Sequence, residues 1–309
     1  MSNSSKINTL IQLLLRGEWR AVRVRWRYFS RSRALASAKT AFVFLHGRDR
    51  LVCDPHLPDS ASAFLEPSGD VWEKRIFHEW LRPRDVVIDA GANIGLFTSM
   101  AADCVGELGR VITIEPTPRL VDHLRLSAHL LGHTSVEVHG VALGGTPGRA
   151  QFAFAAPNET AVSQSLASLE LPPGTAELRE VEVVTLASLT STMPALIKLD
   201  VEGVEVRALG GAPPGWLTAD GPLWVVECHP LALARFGATM QDIFNLFPKL
   251  HFDRWLIGKY AGPFGADLPP VPLDESSLPP ASFHNLIAVP KGSRWEERRR
   301  TLRSLVARS

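Results

Sequence analysis

The chain contains 309 residues, of which 45% are hydrophobic, and its formal net charge is +1. This length accommodates one large α/β domain with additional segments, and such a domain buries a sizeable core. No apolar run approaches the roughly 18 residues of a membrane-spanning helix, and the run at residues 10–15 closes at Arg16, unlike a signal peptide. We therefore expect neither a membrane-spanning nor a secreted protein.

The three cysteines are Cys53, Cys104 and Cys228, and they show neither a C-x-x-C pair nor the spacing of a zinc site. A disulfide scaffold and a structural zinc site are therefore not expected. This pattern is typical of a reducing compartment, and we predict a cytoplasmic location.

Basic residues are concentrated at the two ends of the chain, in residues 1–40 and 291–309. The N-terminal arm predicts a solvated helix packed on a domain, and its alternative is peripheral contact with an anionic membrane surface. No aromatic-rich RNA motif or helix-turn-helix pattern accompanies these charges, so nucleic acid is not an expected partner. We assign residues 1–70 to this arm and a short antiparallel preface with strands at 41–45 and 49–53.

Residues 71–290 form the predicted main domain, and residues 291–309 follow it as a basic tail. After a helix at 71–81, helices alternate with strands, which we place at residues 86–89, 111–115, 136–141, 195–200, 223–227, 251–257 and 285–289. Short strands at 151–154 and 180–184 flank a polar loop. This alternation predicts an α/β fold with a mostly parallel seven-stranded sheet, helices on both faces, and ligands at the carboxyl ends of the strands.

The segment 89–95 reads Asp-Ala-Gly-Ala-Asn-Ile-Gly and predicts a tight turn between a buried strand and a helix N-terminus. The glycine spacing differs from the G-x-G-x-x-G of dinucleotide sites. An acid at the strand end would repel a pyrophosphate but suits the amino group and sulfonium of S-adenosylmethionine, and Glu115 closes the next strand where a carboxylate holds a ribose. We therefore favour S-adenosylmethionine over NAD, and a purely structural turn is the third interpretation. The predicted cofactor-binding residues are Asp89, Gly91, Asn93, Gly95 and Glu115.

Four strand ends of this sheet carry polar groups, which are Asp89, Glu115, the group Lys198, Asp200 and Glu202, and the pair Glu227 and His229. Charges at the edge of apolar strands reduce stability unless they are paired or used. Lys198 and Asp200 leave the same face of their strand because side chains alternate along it. A shared cleft explains four such sites better than four helix caps, although a structural ion pair at Lys198 remains an open interpretation.

Transfer of a methyl group to an alcohol requires removal of a proton, by a base or with the help of a metal ion. The candidate catalytic residues are Lys198, Asp200, Glu202, Glu227 and His229. His229 suits a base because histidine is the residue type that most often transfers protons, but a lone histidine beside a proline more often has a structural role. Asp200, Glu227 and His229 also suit a divalent cation such as magnesium, although no spacing rule fixes metal ligands and we assign none.

These motifs resemble the FkbM family of S-adenosylmethionine-dependent methyltransferases over roughly residues 71–290. The residues that carry the resemblance are Trp72-Glu73, Asp89-x-Gly-Ala-Asn-x-Gly95, Ile197-Lys-x-Asp-x-Glu-Gly-x-Glu205, Ala208-Leu-x-Gly-Ala212, Glu227 and Asn285-Leu-Ile. The resemblance implies a Rossmann-like methyltransferase fold and O-methylation of a hydroxyl of a sugar, glycolipid or natural product.

The acceptor implied by the resemblance is therefore a small molecule or carbohydrate, with the loops 157–173 and 258–280 shaping its pocket. Two other functions stay open at this point. One is an NAD-linked oxidoreductase, and the other is a non-catalytic cofactor-binding scaffold docked through its basic ends.

Overall fold

A computed structural model describes residues 19–46, 48–65, 70–155, 176–258, 268–273 and 284–307. The loop 157–173 and most of the loop 258–280, which we expected to shape the acceptor pocket, lie outside these residues. The chain forms two compact units, Met1–Pro67 and Ser68–Ser309.

The N-terminal unit contains helices and one antiparallel hairpin, as expected for the preface. Its elements are α1 (Trp19–Ser37), β1 (Phe42–His46), β2 (Asp49–Cys53) and α2 (Pro58–Leu65). The rings of Phe42 and Phe44 pack edge-on against Phe64, with centroids 5.1 and 5.0 Å away. Among the helices of the described ranges, none is long and apolar enough to cross a membrane. Peripheral membrane contact of the basic arm stays a prediction, and residues 1–18 of that arm lie outside the described ranges.

The larger unit alternates strands and helices. In chain order its elements are α3 (Val71–Trp80), β3 (Val86–Ala90), α4 (Leu96–Val105), β4 (Arg110–Ile114), α5 (Pro118–Leu131), β5 (Val136–His139), β6 (Ala142–Leu143), β7 (Gly148–Ala155), β8 (Ala176–Val184), α6 (Leu186–Leu189), β9 (Leu196–Leu199), α7 (Glu205–Gly210), β10 (Leu223–Cys228), α8 (Pro230–Arg235), α9 (Met240–Leu246), β11 (Phe252–Gly258), β12 (Val271–Pro272), β13 (His284–Pro290) and α10 (Glu296–Ala307). Helix α5 shows how local sequence sets such bounds: Pro118 occupies its first turn, and Gly132 ends it in a left-handed conformation.

The main sheet has the strand order β5-β4-β3-β9-β10-β13-β11-β12. Strands β5, β4, β3, β9 and β10 are parallel, whereas β13, β11 and β12 pair antiparallel. This arrangement confirms the Rossmann-like α/β fold with its mostly parallel sheet. The predicted strand number of seven needs one correction, because the two-residue strand Val271–Pro272 adds an eighth strand at the edge, where a proline is tolerated.

The two short strands predicted between β5 and β9 belong to a separate sheet with the order β6-β8-β7. Strands β7 and β8 pair antiparallel along their whole lengths, from Gly148 opposite Val183 to Ala155 opposite Ala176. Both are longer than predicted. Polar residues that alternate with apolar ones along a half-exposed strand obscure its ends in the sequence.

Two hydrophobic layers cover the two faces of the main sheet. Side chains alternate along each strand, so Trp224 and Val226 of β10 enter one layer while Val225 enters the other, beside Ile76 and Phe77 of helix α3. The polar residues at the strand ends point to the same face of the sheet as Val225, which is the face covered by helix α3. These residues are Asp89, Glu115, Lys198, Glu227 and Asn285.

The C-terminal segment, set apart as a basic tail by its composition, lies within the larger unit. Trp295 is buried, donates from Nε1 to the carbonyl of Gly221 at 2.6 Å, and packs against Trp80 with ring centroids 5.3 Å apart. Arg298 of helix α10 pairs with both carboxylate oxygens of Asp85, at 2.6 and 3.1 Å. The basic residues Arg298, Arg299, Arg300 and Arg303 therefore lie on a packed amphipathic helix.

Candidate active site

The turn after β3 has three residues with left-handed backbone angles, at Gly91 (φ 76°), Asn93 (φ 51°) and Gly95 (φ 85°). Glycine adopts such angles without steric cost, and asparagine tolerates them better than most other residues. The backbone N–H groups of Gly91 and Ala92 both donate to the carbonyl of Ile114, at 2.9 and 3.1 Å. The helix therefore begins at Leu96, and the turn rests on the end of β4.

Gly91 also brings the ends of β3 and β9 together. A Cβ atom at this position would lie 1.7 Å from the backbone oxygen of Asp200. No side chain fits there, so the glycine is required by a contact within the protein as well as by its backbone angle. The consequence is that the predicted cofactor turn lies directly against the segment that carries Asp200.

Glu115 joins the end of β4 to the turn. It is only 5% exposed, and its two oxygens accept the backbone N–H groups of Asn93 and Thr117, each at 3.0 Å. Burial raises the pKa of this carboxyl, and the hydrogen bonds from Thr117 and Asn93 oppose that rise. A carboxylate has about four lone-pair positions, so capacity remains for the two hydroxyls of a ribose.

Asp89 is fully buried at the end of β3. Thr98 donates to its Oδ2 at 2.6 Å, whereas Oδ1 has no hydrogen-bond partner among the described residues. Lys198 lies beside it in the neighbouring strand. Burial raises the pKa of Asp89, and the charge of Lys198 opposes that rise. The turn therefore has a buried carboxyl group with an unpartnered oxygen behind it, and Asp89 is deeper than a residue in direct contact with solvent.

Lys198 is a buried cation with a defined partner. Its Nζ lies 2.7 Å from Oδ2 of Asp200 and 5.0 Å from the ring centre of Phe97. Burial acts to lower the pKa of Lys198, but the carboxylates of Asp200 and Asp89 outweigh it and raise that pKa above its ordinary value. Lys198 therefore stays an ammonium group that positions Asp200, whose side chain is 34% exposed and open to a substrate.

The loop between β9 and helix α7 is strained and held by a buried acid. Glu202 has φ 58° and Gly203 has φ 107°, and a Cβ at Gly203 would lie 2.3 Å from the carbonyl oxygen of Ala232. Oε1 of Glu205 accepts the N–H groups of Val201 and Gly203, at 3.0 and 3.2 Å. Burial raises the pKa of Glu205 to about 7. Glu205 thus holds this loop, while Lys198 pairs with Asp200.

Glu202 keeps the position predicted for it, beside Asp200 at the end of β9. Burial raises the pKa of its carboxyl, and the charge of Asp200 raises it further. Its left-handed backbone angle costs about 1 kcal/mol or more in a residue other than glycine. Such strain is concentrated at functional sites, so the loop remains part of the candidate active site.

Glu227 and His229 end strand β10 in different environments. Glu227 is 9% exposed, and its pKa is raised well above the ordinary value by burial and by the charges of Asp200 and Glu202. His229 caps helix α8, where its Nδ1 accepts the backbone N–H of Ala232 at 3.2 Å. A neutral histidine that accepts at Nδ1 carries its proton on Nε2, which favours the structural interpretation of His229 over a role as base.

Sequence reasoning assigned no role to a buried pair at the same edge, Glu73 on helix α3 and Asn285 on β13. Nδ2 of Asn285 donates to Oε1 of Glu73 at 2.7 Å. Both residues belong to the quoted family resemblance, but they are far apart in the chain. The available signal was an amide and an acid at positions where the periodicity predicts core residues.

No group of three or more His, Cys, Asp or Glu side chains in the described ranges is arranged to hold a metal ion. Of the three residues considered for magnesium, Asp200 is paired with Lys198 and the Nδ1 atom of His229 caps a helix. The metal interpretation therefore gains no support from this donor set. S-Adenosylmethionine fits better, because the unused lone pairs of Glu115 and the unpartnered oxygen of Asp89 suit hydroxyls and positive charge.

Comparisons with known proteins agree with this description. Residues 89–254, more than half of the chain, match the family model described as the methyltransferase FkbM domain. The chain is similar to protein-L-isoaspartate O-methyltransferases of Methanococcus aeolicus, with 36% identity over 73 residues (24% of this chain, 33% of that protein), and of Archaeoglobus fulgidus, with 38% identity over 58 residues (19% and 26%). The matches thus span a third or less of these curated relatives.

A solved structure of methyltransferase FkbM from Methylobacillus flagellatus KT aligns with a TM-score of 0.39 and 16% identity. The alignment covers 74% of this chain and 52% of that chain.

Proposed function

The chain belongs to the FkbM methyltransferase family, and from that premise we propose that it is an S-adenosylmethionine-dependent methyltransferase acting on a hydroxyl of a sugar, glycolipid or natural product. The observation that carries the proposal is the contact between the turn at Gly91 and the segment of Asp200. This contact places a turn that suits the cofactor next to a carboxylate that suits the removal of a proton.

Glu115 and the turn from Gly91 to Gly95 would hold the cofactor, the former through the ribose hydroxyls. Asp89 would offer its unpartnered Oδ1 atom behind the turn. S-Adenosylmethionine, when bound, supplies a methyl group to the acceptor oxygen as the carbon–sulfur bond breaks and leaves as a neutral thioether.

Asp200 is the proposed base for the acceptor hydroxyl. It is the carboxylate of this edge that is both ion-paired, with Lys198 at 2.7 Å, and partly open, with 34% of its side chain exposed. Glu227 is less suited to that role, because it is only 9% exposed and burial raises its pKa. Lys198 holds the Asp200 carboxylate in place, so that the proton of the acceptor hydroxyl is taken at Asp200.

Two measurements test the proposal against its rivals. S-Adenosylhomocysteine should raise the melting temperature of the protein, whereas NAD should not. A cell extract incubated with the protein and deuteromethyl-labelled S-adenosylmethionine should yield a mass-shifted product whose methyl group survives mild base, as an ether does and an ester does not. Stabilisation by NAD alone would favour an oxidoreductase, and stabilisation by S-adenosylhomocysteine without any labelled product would favour a non-catalytic scaffold.

The variant Asp200→Asn tests the assigned base directly. It should bind S-adenosylhomocysteine like the wild type and transfer the methyl group about 100-fold more slowly or worse, since general base catalysis contributes about that much. The exposed Asp122 provides the matched control Asp122→Asn, which should leave the rate unchanged. An Asp200→Asn rate within a few-fold of wild type would remove Asp200 as the base.

A further inference from the structure

Glu227 and Asn285 face each other across two neighbouring strands at the carboxyl edge of the sheet. They are direct partners in the antiparallel ladder between β10 and β13, so their Cβ atoms lie about 5 Å apart. Both side chains leave the sheet on the side of helix α3, the same side as Lys198. The two residues therefore form one wall of the candidate active site.

Each of these residues has a buried oxygen that is unused within the part of the chain that the structure describes. Oε2 of Glu227 and Oδ1 of Asn285 have no hydrogen-bond partner among the described residues, although the side chains are 9% and 7% exposed. An unpartnered polar atom in such a place destabilises the folded protein. Two of them on directly opposed residues indicate a ligand that supplies the missing partners.

The orientation of the Asn285 amide is fixed by Glu73. Its Nδ2 donates to Oε1 of Glu73 at 2.7 Å, and a carboxylate oxygen can only accept from such a group. Oδ1 of Asn285 is therefore the atom left for a ligand, and it can only accept. Glu73 acts as a positioning residue for this amide.

The pair offers complementary hydrogen-bonding groups. Asn285 presents an acceptor, and Glu227 in its neutral form presents a donor, because burial and the nearby acids Asp200 and Glu202 disfavour its charged form. A hydroxyl group donates one hydrogen bond and accepts another, so it satisfies both residues. A carboxylate or phosphate would be repelled by these acids, and an ammonium group has no lone pair for the donor of Glu227.

We propose that Glu227 and Asn285, with Glu73 orienting the amide, form a subsite that binds a hydroxyl group of an uncharged polyol acceptor. This inference rests on the proposed methyltransferase function. The position agrees with it: the strand order reverses between β3 and β9, where a doubly wound sheet binds its cofactor, and β10 and β13 lie one and two strands beyond β9. With strands about 4.8 Å apart, the subsite is about 5–10 Å from β9, within the length of one sugar ring and its substituents.

The test uses the variants Asn285→Ala and Asn285→Asp, with Asn245→Asp on the exposed face of helix α9 as the matched control. Methyl transfer is measured with labelled S-adenosylmethionine to three pools of methyl glycosides, which are neutral sugars, uronic acids and amino sugars, and to a dilution series of cell extract. Wild-type protein should label the neutral pool in preference to the other two.

Asn285→Ala should raise the KM for the neutral pool, or the half-saturating extract concentration, about tenfold or more, because one hydrogen bond in a buried site is lost. Asn285→Asp should raise it as well, because aspartate has no amide to donate to Glu73 and its acceptor oxygen is no longer held in place. Affinity for S-adenosylhomocysteine should be unchanged, which also shows that the variants are folded. The Glu73→Gln variant retains an acceptor and should keep a KM near that of wild type, while Glu73→Ala should behave like Asn285→Ala.

An unchanged KM in folded Asn285 variants would overturn the subsite and leave the methyltransferase proposal standing. Preference for the uronic acids or amino sugars would overturn the assignment of an uncharged acceptor. A wild-type protein that labels neither the pools nor the extract would refute the proposed function itself, and the subsite with it.

Discussion

The backbone N–H of Asn93 donates to the carboxylate of Glu115 at 3.0 Å, so the turn after β3 is fastened to the end of the next strand. One side chain thus supports the predicted cofactor turn, and in the proposed function its remaining lone pairs accept hydrogen bonds from a ribose. Structure and binding at this position would then depend on the same carboxylate.

The first prediction concerns that carboxylate. Glu115→Ala should weaken binding of S-adenosylhomocysteine about 10- to 100-fold, since hydrogen bonds to a charged group contribute about 1.5–3 kcal/mol. It should also lower the melting temperature, because the N–H groups of Asn93 and Thr117 lose their acceptor. Calorimetric titration measures the affinity, and Glu182→Ala at an exposed position is the control. Unchanged affinity would mean that Glu115 does not hold the ribose.

The second prediction separates contact from backbone strain at a glycine. Gly91→Ala and Gly132→Ala both place alanine at a positive φ, of 76° and 72°, which costs each about 1–2 kcal/mol. Only at Gly91 does the new Cβ meet a backbone oxygen, that of Asp200, and overpacking adds about 1–3 kcal/mol. Urea denaturation should therefore show the larger loss of stability for Gly91→Ala. Equal losses of stability would show that the backbone at Asp200 moves away from the new Cβ without a further loss of stability.

The sequence was most informative where a short apolar strand ended at a glycine or an acidic residue. Val86–Ala90 and Leu196–Leu199 are short, apolar and followed by glycine or acids, and both were placed correctly to within two residues. Their polar ends then followed from the rule that parallel strands finish at one edge of the sheet. Local patterns therefore predicted the fold and the face of the site.

Contacts between distant segments were beyond this reasoning. The hydrogen bond from Asn285 to Glu73 spans 212 positions, and no local spacing relates an antiparallel insertion such as β13 to helix α3. His229 looked like a possible base because its type suggests one, yet the cap it makes depends on where helix α8 begins. The same limit applies to the C-terminal segment. Its charge was visible in the sequence, but the packing of its buried Trp295 against Trp80 was not.

The third prediction concerns that C-terminal segment. Trp295→Ala, just before helix α10, should reduce the free energy of unfolding by about 3–5 kcal/mol, because a large buried side chain is lost together with its contact to Trp80. Arg300→Ala at an exposed position of helix α10 should change stability by no more than about 0.5 kcal/mol. Similar values for the two variants, measured by chemical denaturation, would show that the C-terminal segment does not contribute to the core.

The fourth prediction is a pH dependence that arises from Glu205. Burial raises its pKa from 4.5 to about 7 in the folded protein, so the folded state holds this proton more tightly than the unfolded state. A group of this kind stabilises the fold fully below its unfolded pKa, and the contribution disappears as pH rises through the folded pKa. Between about pH 4.5 and 7, wild-type protein should therefore lose about 3 kcal/mol relative to Glu205→Gln, which cannot ionise.

The measurement is a set of urea denaturation curves at half-unit steps from pH 4.5 to 8 for both proteins. Glu297→Gln is the matched control, since Glu297 also lies in the first turn of a helix but is exposed, and its difference from wild type should not vary over this range. A flat difference for Glu205→Gln would mean that the loop from Val201 to Gly203 holds an ionised carboxylate. Its two N–H donors at 3.0 and 3.2 Å would then offset the burial of the charge, so that the folded and unfolded states bind this proton equally well.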